Sequence, residues 1–428
     1  MIRIVNSSNR AEVEALLSPA VIRDRATERA AAAIVERVRA EGDAALEHFA
    51  RTLDGWEGPL EVPRRQILAG ARKAPADVRA ALKAAARAIR VVATAQRPRE
   101  WRVEPTRGVT VAQRVIPLDR VGCYVPGGRY PLPSSLLMTA IPARVAGVPE
   151  VVVCSPSVDP VMLAAAVEAG VDRVFRLGGA HAVAAMAYGT PTVPRVNKIV
   201  GPGNRWVAAA KALVAQDCAI DFYAGPTEIL IVAERGRAAW IAADLIAQAE
   251  HDADARAVFI TANRRLAAAV ALEVARQMPA EGPAAASLWN HGGVIVTATM
   301  REAEALANDA AAEHLVVDTA ARARAIRHAG AVFIGSWTAQ VAGDYALGSN
   351  HTLPTAGVAR TRGGLHAADF VKLVSTQQVT PAGLSRVART VTTLARAEGL
   401  EGHARSIDVR VPPAPAARRP AARKARVR

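Results

Sequence analysis

Between residues 110 and 350, short runs of consecutive apolar, β-branched-rich residues alternate with segments whose apolar positions recur every three or four residues. The runs RVGCYV, EVVVCS, DRVFRL, VNKIV, EILIVAE, AVFITA and GVIVTAT read as strands. SSLLMTAIPARVAG, VMLAAAVEAG, AHAVAAMAYG, NRWVAAAKALV, AAWIAADLIAQAEHDA and RRLAAAVALEVARQM read as the helices between them. A strand that is apolar on both faces is covered on both faces, so the class is α/β, with parallel sheets between helical layers. The number of units predicts two doubly wound sheets in tandem, over about 110–235 and 236–350. Before them, RAAAAIVERVRAEGDAALEHFARTLDG and APADVRAALKAAARAIRVVATAQR predict a helical appendage within residues 1–109. After residue 350 the chain is Gly- and Thr-rich and then helical again to about residue 411.

Charge changes this picture little. The net charge of +15 invites a nucleic-acid reading. Yet six of the basic residues sit in the acid-free last 17, PPAPAARRPAARKARVR, which read as a disordered tail over 412–428. The remaining arginines are scattered, and aromatic residues, at 4%, are too sparse to form a stacking surface. No nucleic-acid partner is expected. No apolar run reaches the roughly 18–20 residues that span a bilayer, and the N-terminus lacks the apolar core of a signal peptide. Cys123, Cys154 and Cys218 are too few and too widely spaced for a disulfide framework or a CxxC metal site, which fits a reducing cytoplasm.

Ligands of open α/β sheets bind where strand-to-helix turns expose backbone N–H groups. Three glycine-bearing turns qualify: Tyr124–Gly128, Leu177–Ala180 and Gly201–Asn204. None is a GxGxxG fingerprint with an acidic residue about 20 positions on, so together they make a nucleotide site possible without defining it.

Several polar clusters could carry chemistry. Gln248 and His251 are three apart, so on a helix they share a face and could reach one metal, although a polar helix end explains them equally well. Glu313 and His314 are adjacent; on a helix they would diverge by about 100°, which suits two separate proton-handling roles better than one metal. The loop from Gly343 to Thr355 gathers Asp344, Ser349, Asn350 and His351 between apolar elements. Glu398 and His403 lie near the end of the last helical stretch. Cys123 is a conceivable thiol nucleophile, though a small apolar filler beside Gly122 is the simpler reading.

In order along residues 5 to about 411, RVGCYVPGGRYPLPSSLLMTAIPARVAG, GGAHAVAAMAYGT, KIVGPGNRWVAAAK, AGPTEILIVA, DLIAQAEHDADA, AEHLVV, GDYALGSNHTLPT and EGLEGHA resemble the histidinol dehydrogenase family. The resemblance implies two incomplete Rossmann-like domains with helical N- and C-terminal appendages. It implies oxidation of L-histidinol through L-histidinaldehyde to L-histidine with two NAD⁺, the last steps of histidine biosynthesis. It also implies one Zn²⁺ per subunit, held by Gln248, His251, Asp344 and His403. Glu313 and His314 match the catalytic pair. Thr227, His351 and Glu398 match substrate contacts, as do the ligands and His314. Tyr124, His181 and Asn204 match NAD contacts. The family forms intertwined homodimers, so segment 351–411 is expected to serve the partner's site. Four positions depart from the family pattern: His181 for Gln, Thr227 for Ser, Ala312 for Pro and Leu347 for a small residue. GGRYPL and AGPTE also resemble a paralogous branch that oxidises sulfopropanediol, which leaves that substrate as the alternative.

Overall fold

A computed structural model describes residues 2–18, 24–127, 132–223 and 225–411; the expected basic tail 412–428 lies outside them, as does most of GGRYPL. In chain order the strands are β1 (Ile4–Asn6), β2 (Glu61–Val62), β3 (Trp101–Thr106), β4 (Val109–Pro117) and β5 (Arg120–Tyr124). They continue with β6 (Glu150–Cys154), β7 (Arg173–Phe175), β8 (Lys198–Val200), β9 (Ala219–Ile220) and β10 (Glu228–Val232). The last are β11 (Arg256–Thr261), β12 (Gly293–Val296), β13 (His314–Val317), β14 (Ala331–Ile334) and β15 (Val371–Val379).

The α/β expectation holds. One six-stranded sheet runs β2-β7-β6-β5-β8-β9, and a second runs β1-β12-β11-β10-β13-β14. Pairings in the second are parallel, and so are those of the first apart from the short antiparallel edge β2–β7. Once an edge strand (β2, β1) has been laid down, the chain enters each sheet at the middle, steps out one way and then crosses to the other side. That crossover creates the switch point at which doubly wound sheets bind ligands.

Period-two alternation of apolar residues explains why both faces are covered. From β5 and β6, Val121, Cys123, Val151 and Val153 enter one core with helices Ala76–Ala95, Pro133–Ala146 and Pro160–Ala169. Tyr124, Val152 and Cys154 enter the opposite core with helices Arg25–Glu41, Gly179–Tyr188 and Arg205–Val214. The second sheet divides the same way, with Ile229, Ile231 and Phe259 on one face and Leu230, Val232 and Ile260 on the other.

Three boundaries differ from the sequence reading. Residues 1–97 are not a separate helical body: β1 pairs with β12, β2 with β7, and the helices supply layers of both sheets. β10 belongs to the second sheet, so the passage between sheets precedes residue 228 rather than following 235. The segment after 350 also holds a strand, β15, which joins β4 and β3 in a three-stranded sheet. Residues 98–116 and 372–411 form a compact unit of their own, containing most of that sheet and helices Pro381–Ala397 and Glu401–Asp408.

Candidate active site

The amino ends of strands β10 and β13 in the second sheet, rather than the carboxyl ends, concentrate buried polar groups. Glu313 and His314 do not sit on a helix as expected. Helix Met300–Ala310 ends at Ala311 in the left-handed region (φ 50°), and His314 opens β13. The two side chains therefore converge, with His314 Nδ1 3.5 Å from Glu313 Oε2 and both residues buried. Glu313 Oε2 accepts from the Thr227 hydroxyl (2.5 Å) and the Glu228 N–H (2.8 Å). The Thr227 hydroxyl in turn accepts from Gln248 Nε2 (2.5 Å), which makes Thr227 the node between amide and carboxylate. Sequence reading gave Thr227 only a substrate contact; neither spacing nor composition signalled the node.

Gln248 is fully buried on helix Ala238–Ala249, and its Oε1 has no hydrogen-bond partner. His251 follows just beyond the helix and is exposed, its Nδ1 3.2 Å from the Gln248 carbonyl. Asp244, one turn before Gln248, is pushed up to about 6 by burial.

Asp344 Oδ1 lies 3.8 Å from His314 Nε2 and 4.0 Å from His351 Nδ1, while its Oδ2 accepts from Gln340 Nε2 (2.9 Å). Burial opposes the charge on His314, but the Glu313 and Asp344 carboxylates outweigh it and hold the imidazole well above its ordinary value. Burial likewise opposes the Asp344 charge, and here the two histidines and Gln340 outweigh it, leaving the carboxyl low. His351 is lowered by burial, which the Asp344 charge offsets only in part. Its ring spans two elements: Nδ1 is 3.1 Å from the Asp344 carbonyl, and Nε2 is 3.2 Å from the Ser135 hydroxyl. Ser135 escaped sequence reading because its partner lies more than two hundred residues away; Gln340 was also missed, although Asp344 is only one helical turn on.

The glycine turns gather the expected cofactor residues of the first sheet. Tyr124 is buried, and its hydroxyl accepts the Gly179 N–H (3.1 Å). Asn204 caps helix Arg205–Val214 by accepting from the N–H groups of Trp206 and Val207. His181 is fully buried, with Nε2 2.8 Å from Asp54 Oδ2 and Nδ1 without a partner. The same Asp54 oxygen accepts the Gly178 N–H (2.8 Å), so Asp54 closes the turn, a role that nothing in its surrounding sequence announces. Gly201, at φ +118°, approaches so closely that a Cβ there would lie 2.1 Å from the Tyr124 carbonyl oxygen.

Among the described residues, no three His, Cys, Asp or Glu side chains are gathered as a metal cluster. Glu398 and His403 belong to the smaller unit, where both are exposed. Cys123 is no nucleophile: full burial pushes its thiol up to about 12, only partly offset by Thr139. No helix among the described residues is long and apolar enough to cross a membrane.

Two doubly wound sheets, the first with glycine turns at its strand ends and the second with a desolvated carboxylate–imidazole pair, are the frame of an α/β enzyme equipped for proton transfer. A family model for histidinol dehydrogenase matches residues 19–411. The histidinol dehydrogenase of Halobacterium salinarum is 47% identical over 391 residues, covering 89% of this chain and 92% of that protein. That of Methylococcus capsulatus is 44% identical over 393 residues, covering 88% and 90%. The crystal structure of histidinol dehydrogenase from Elizabethkingia anophelis superposes with a TM-score of 0.91 at 30% identity, covering 96% of this chain and 98% of that one. The chain belongs to the histidinol dehydrogenase family.

Proposed function

We propose that this chain oxidises L-histidinol through L-histidinaldehyde to L-histidine, passing one hydride to each of two NAD⁺ and consuming one water. The observation that carries this reading is the buried array Gln248–Thr227–Glu313–His314–Asp344, which sets an acid–base pair beside an amide oxygen that lacks a partner.

In each oxidation a hydride leaves carbon as the hydroxyl on that carbon loses its proton, and His314 Nε2 is the group that takes that proton. Between the two, Glu313 draws a proton from the water that hydrates the aldehyde and so creates the second oxidisable hydroxyl. A base must start neutral, and the Glu313 and Asp344 carboxylates push His314 toward its protonated form. Neutralising Asp344 relieves one of these pushes and returns the ring toward its basic form.

Two of the expected donors fit zinc. Gln248 Oε1 is buried and unpartnered, and Asp344 Oδ1 meets its neighbours only at 3.8 Å and beyond. Gln248, His251, Asp344 and His403 would hold the ion. When bound it supplies Lewis acidity and a fixed point for the amine and imidazole nitrogens of the substrate. Tyr124, His181 and Asn204 would hold NAD⁺, and Thr227, His351 and Glu398 the substrate. We further infer a homodimer in which the C-terminal unit of each copy, with His403 and Glu398, completes the other copy's centre.

A steady-state assay of the zinc-loaded protein tests this. Two NADH form per L-histidinol, and both chelation and His314→Asn abolish turnover. Rapid oxidation of dihydroxypropanesulfonate with none of histidinol would replace the substrate.

A further inference from the structure

Helix Pro133–Ala146 carries a proline, Pro142, in its interior. A proline has no N–H, so the carbonyl four residues earlier, that of Met138, loses its helical donor. Met138 is buried, where an unpaired carbonyl is costly. The donor comes from outside the helix: the side-chain amide of Asn350 bonds the Met138 carbonyl at 2.6 Å. The other end of that amide, Oδ1, accepts the Thr352 N–H at 2.8 Å. One side chain thus brackets His351, tying the residue after it to the residue before it and anchoring both to the helix. Two turns before Pro142, the same helix offers the Ser135 hydroxyl to His351 Nε2. The loop is seated here by Gly348 as well, since a Cβ at that position would lie 2.5 Å from the Ala88 carbonyl oxygen.

We propose that Asn350 is a positioning residue: its amide fills the hydrogen-bonding place that Pro142 vacates in the helix, and in doing so fixes where His351 stands relative to the substrate. The inference rests on the reading of His351 as a substrate contact. It treats the proline as part of the device, because a residue with an N–H at position 142 would satisfy Met138 from within the helix and make the cross-link dispensable for stability.

That dependence supplies the test, a cycle of Asn350→Ala, Pro142→Ala and the two combined in the zinc-loaded protein. Urea midpoints are measured alongside KM and kcat for histidinol and KM for NAD⁺. Asn350→Ala strands the Met138 carbonyl, so the midpoint falls. It also loosens His351, so KM for histidinol rises about ten- to a hundredfold. kcat stays within about threefold, because the lost contact serves substrate and transition state alike. Adding Pro142→Ala returns an N–H to the Met138 carbonyl and restores the midpoint, while KM for histidinol stays high. KM for NAD⁺ is unchanged throughout.

If KM recovers together with stability in the combined variant, Asn350 serves only the helix and the proposal falls. It falls equally if Asn350→Ala leaves KM unmoved. Should that variant fold poorly, Asn350→Asp keeps the size and the acceptor for the Thr352 N–H but cannot donate to Met138, and the same rise in KM is expected of it. His351→Asn separates the underlying reading: if it spares histidinol binding, His351 is not a substrate contact, whatever the cycle gives.

Discussion

Replacing Thr227 by Val probes the node of the buried array. Valine matches threonine in shape but has no hydroxyl, so two hydrogen bonds vanish without opening a cavity: Thr227 Oγ1 to Glu313 Oε2 at 2.5 Å, and Gln248 Nε2 to Thr227 Oγ1 at 2.5 Å. Glu313 keeps only the Glu228 N–H on that oxygen. A hydrogen bond to a carboxylate is worth about 1.5–3 kcal/mol, and a buried amide donor left unpaired costs about 1–3 kcal/mol. Gln248 is fully buried with its Oε1 already unpartnered, so it has no second means of support. The expected loss is therefore about 3–5 kcal/mol. Thr227→Ser is the control, because it keeps the hydroxyl and removes one methyl, at about 1 kcal/mol. Urea unfolding at pH 7.5, with the slope checked for constancy, reads both variants on one scale. Turnover should fall steeply in the valine variant and modestly in the serine variant. If valine destabilises no more than serine does, the hydroxyl holds nothing and the array is a set of neighbours rather than a network.

Three further outcomes are expected. Burial pushes the Glu228 carboxyl up to about 7, against an opposing Arg256 and with Glu313 adding to the push. A raised acid stabilises the fold below its unfolded value and loses that contribution as pH climbs through 7. The stability gap between Glu228→Gln and wild type should thus shift by about 3 kcal/mol in the variant's favour from pH 4.5 to pH 8, and a pH-independent gap in urea titrations would refute it. Gly201→Ala forces the turn away from the Tyr124 carbonyl at a cost of at least about 2 kcal/mol. NAD⁺ binding by fluorescence should weaken with it, and unchanged affinity and midpoint together would contradict the turn's assignment. Mixing His314→Asn with His403→Asn subunits should restore about a quarter of wild-type turnover if each site draws on two copies. No recovery after co-refolding would mean that each chain completes its own centre.

The fold was legible because its signal is local. The central strands of the two large sheets are short apolar runs, and the helices between them repeat at three or four residues, so the class could be read off windows of ten residues. β15 was missed because it is largely exposed and reads VKLVSTQQV, in which polar residues break the apolar pattern. β2 is two residues long, too short to carry a pattern at all. The site was legible in part and for a different reason: spacing singled out Gln248 with His251, although the helix ends at Ala249 and the expected shared face does not form, whereas Thr227 gains meaning only from a family resemblance. What remained hidden are the pairs that the topology alone creates, Asp54 with His181 and Asn350 with Met138.

Pro142 shows why such pairs resist sequence reading. Inside an otherwise regular apolar helix a proline scores as a defect of about 3 kcal/mol, to be explained by a kink or a boundary. In the folded chain the same proline frees a carbonyl, and that carbonyl becomes the docking point for a loop more than two hundred residues away. A violation of local preference marks the place where a long-range contact has been substituted for a local one, and here that place adjoins the polar array. The general expectation is that strain of this kind is located by asking which buried backbone group it leaves without a partner, then which distant side chain supplies one.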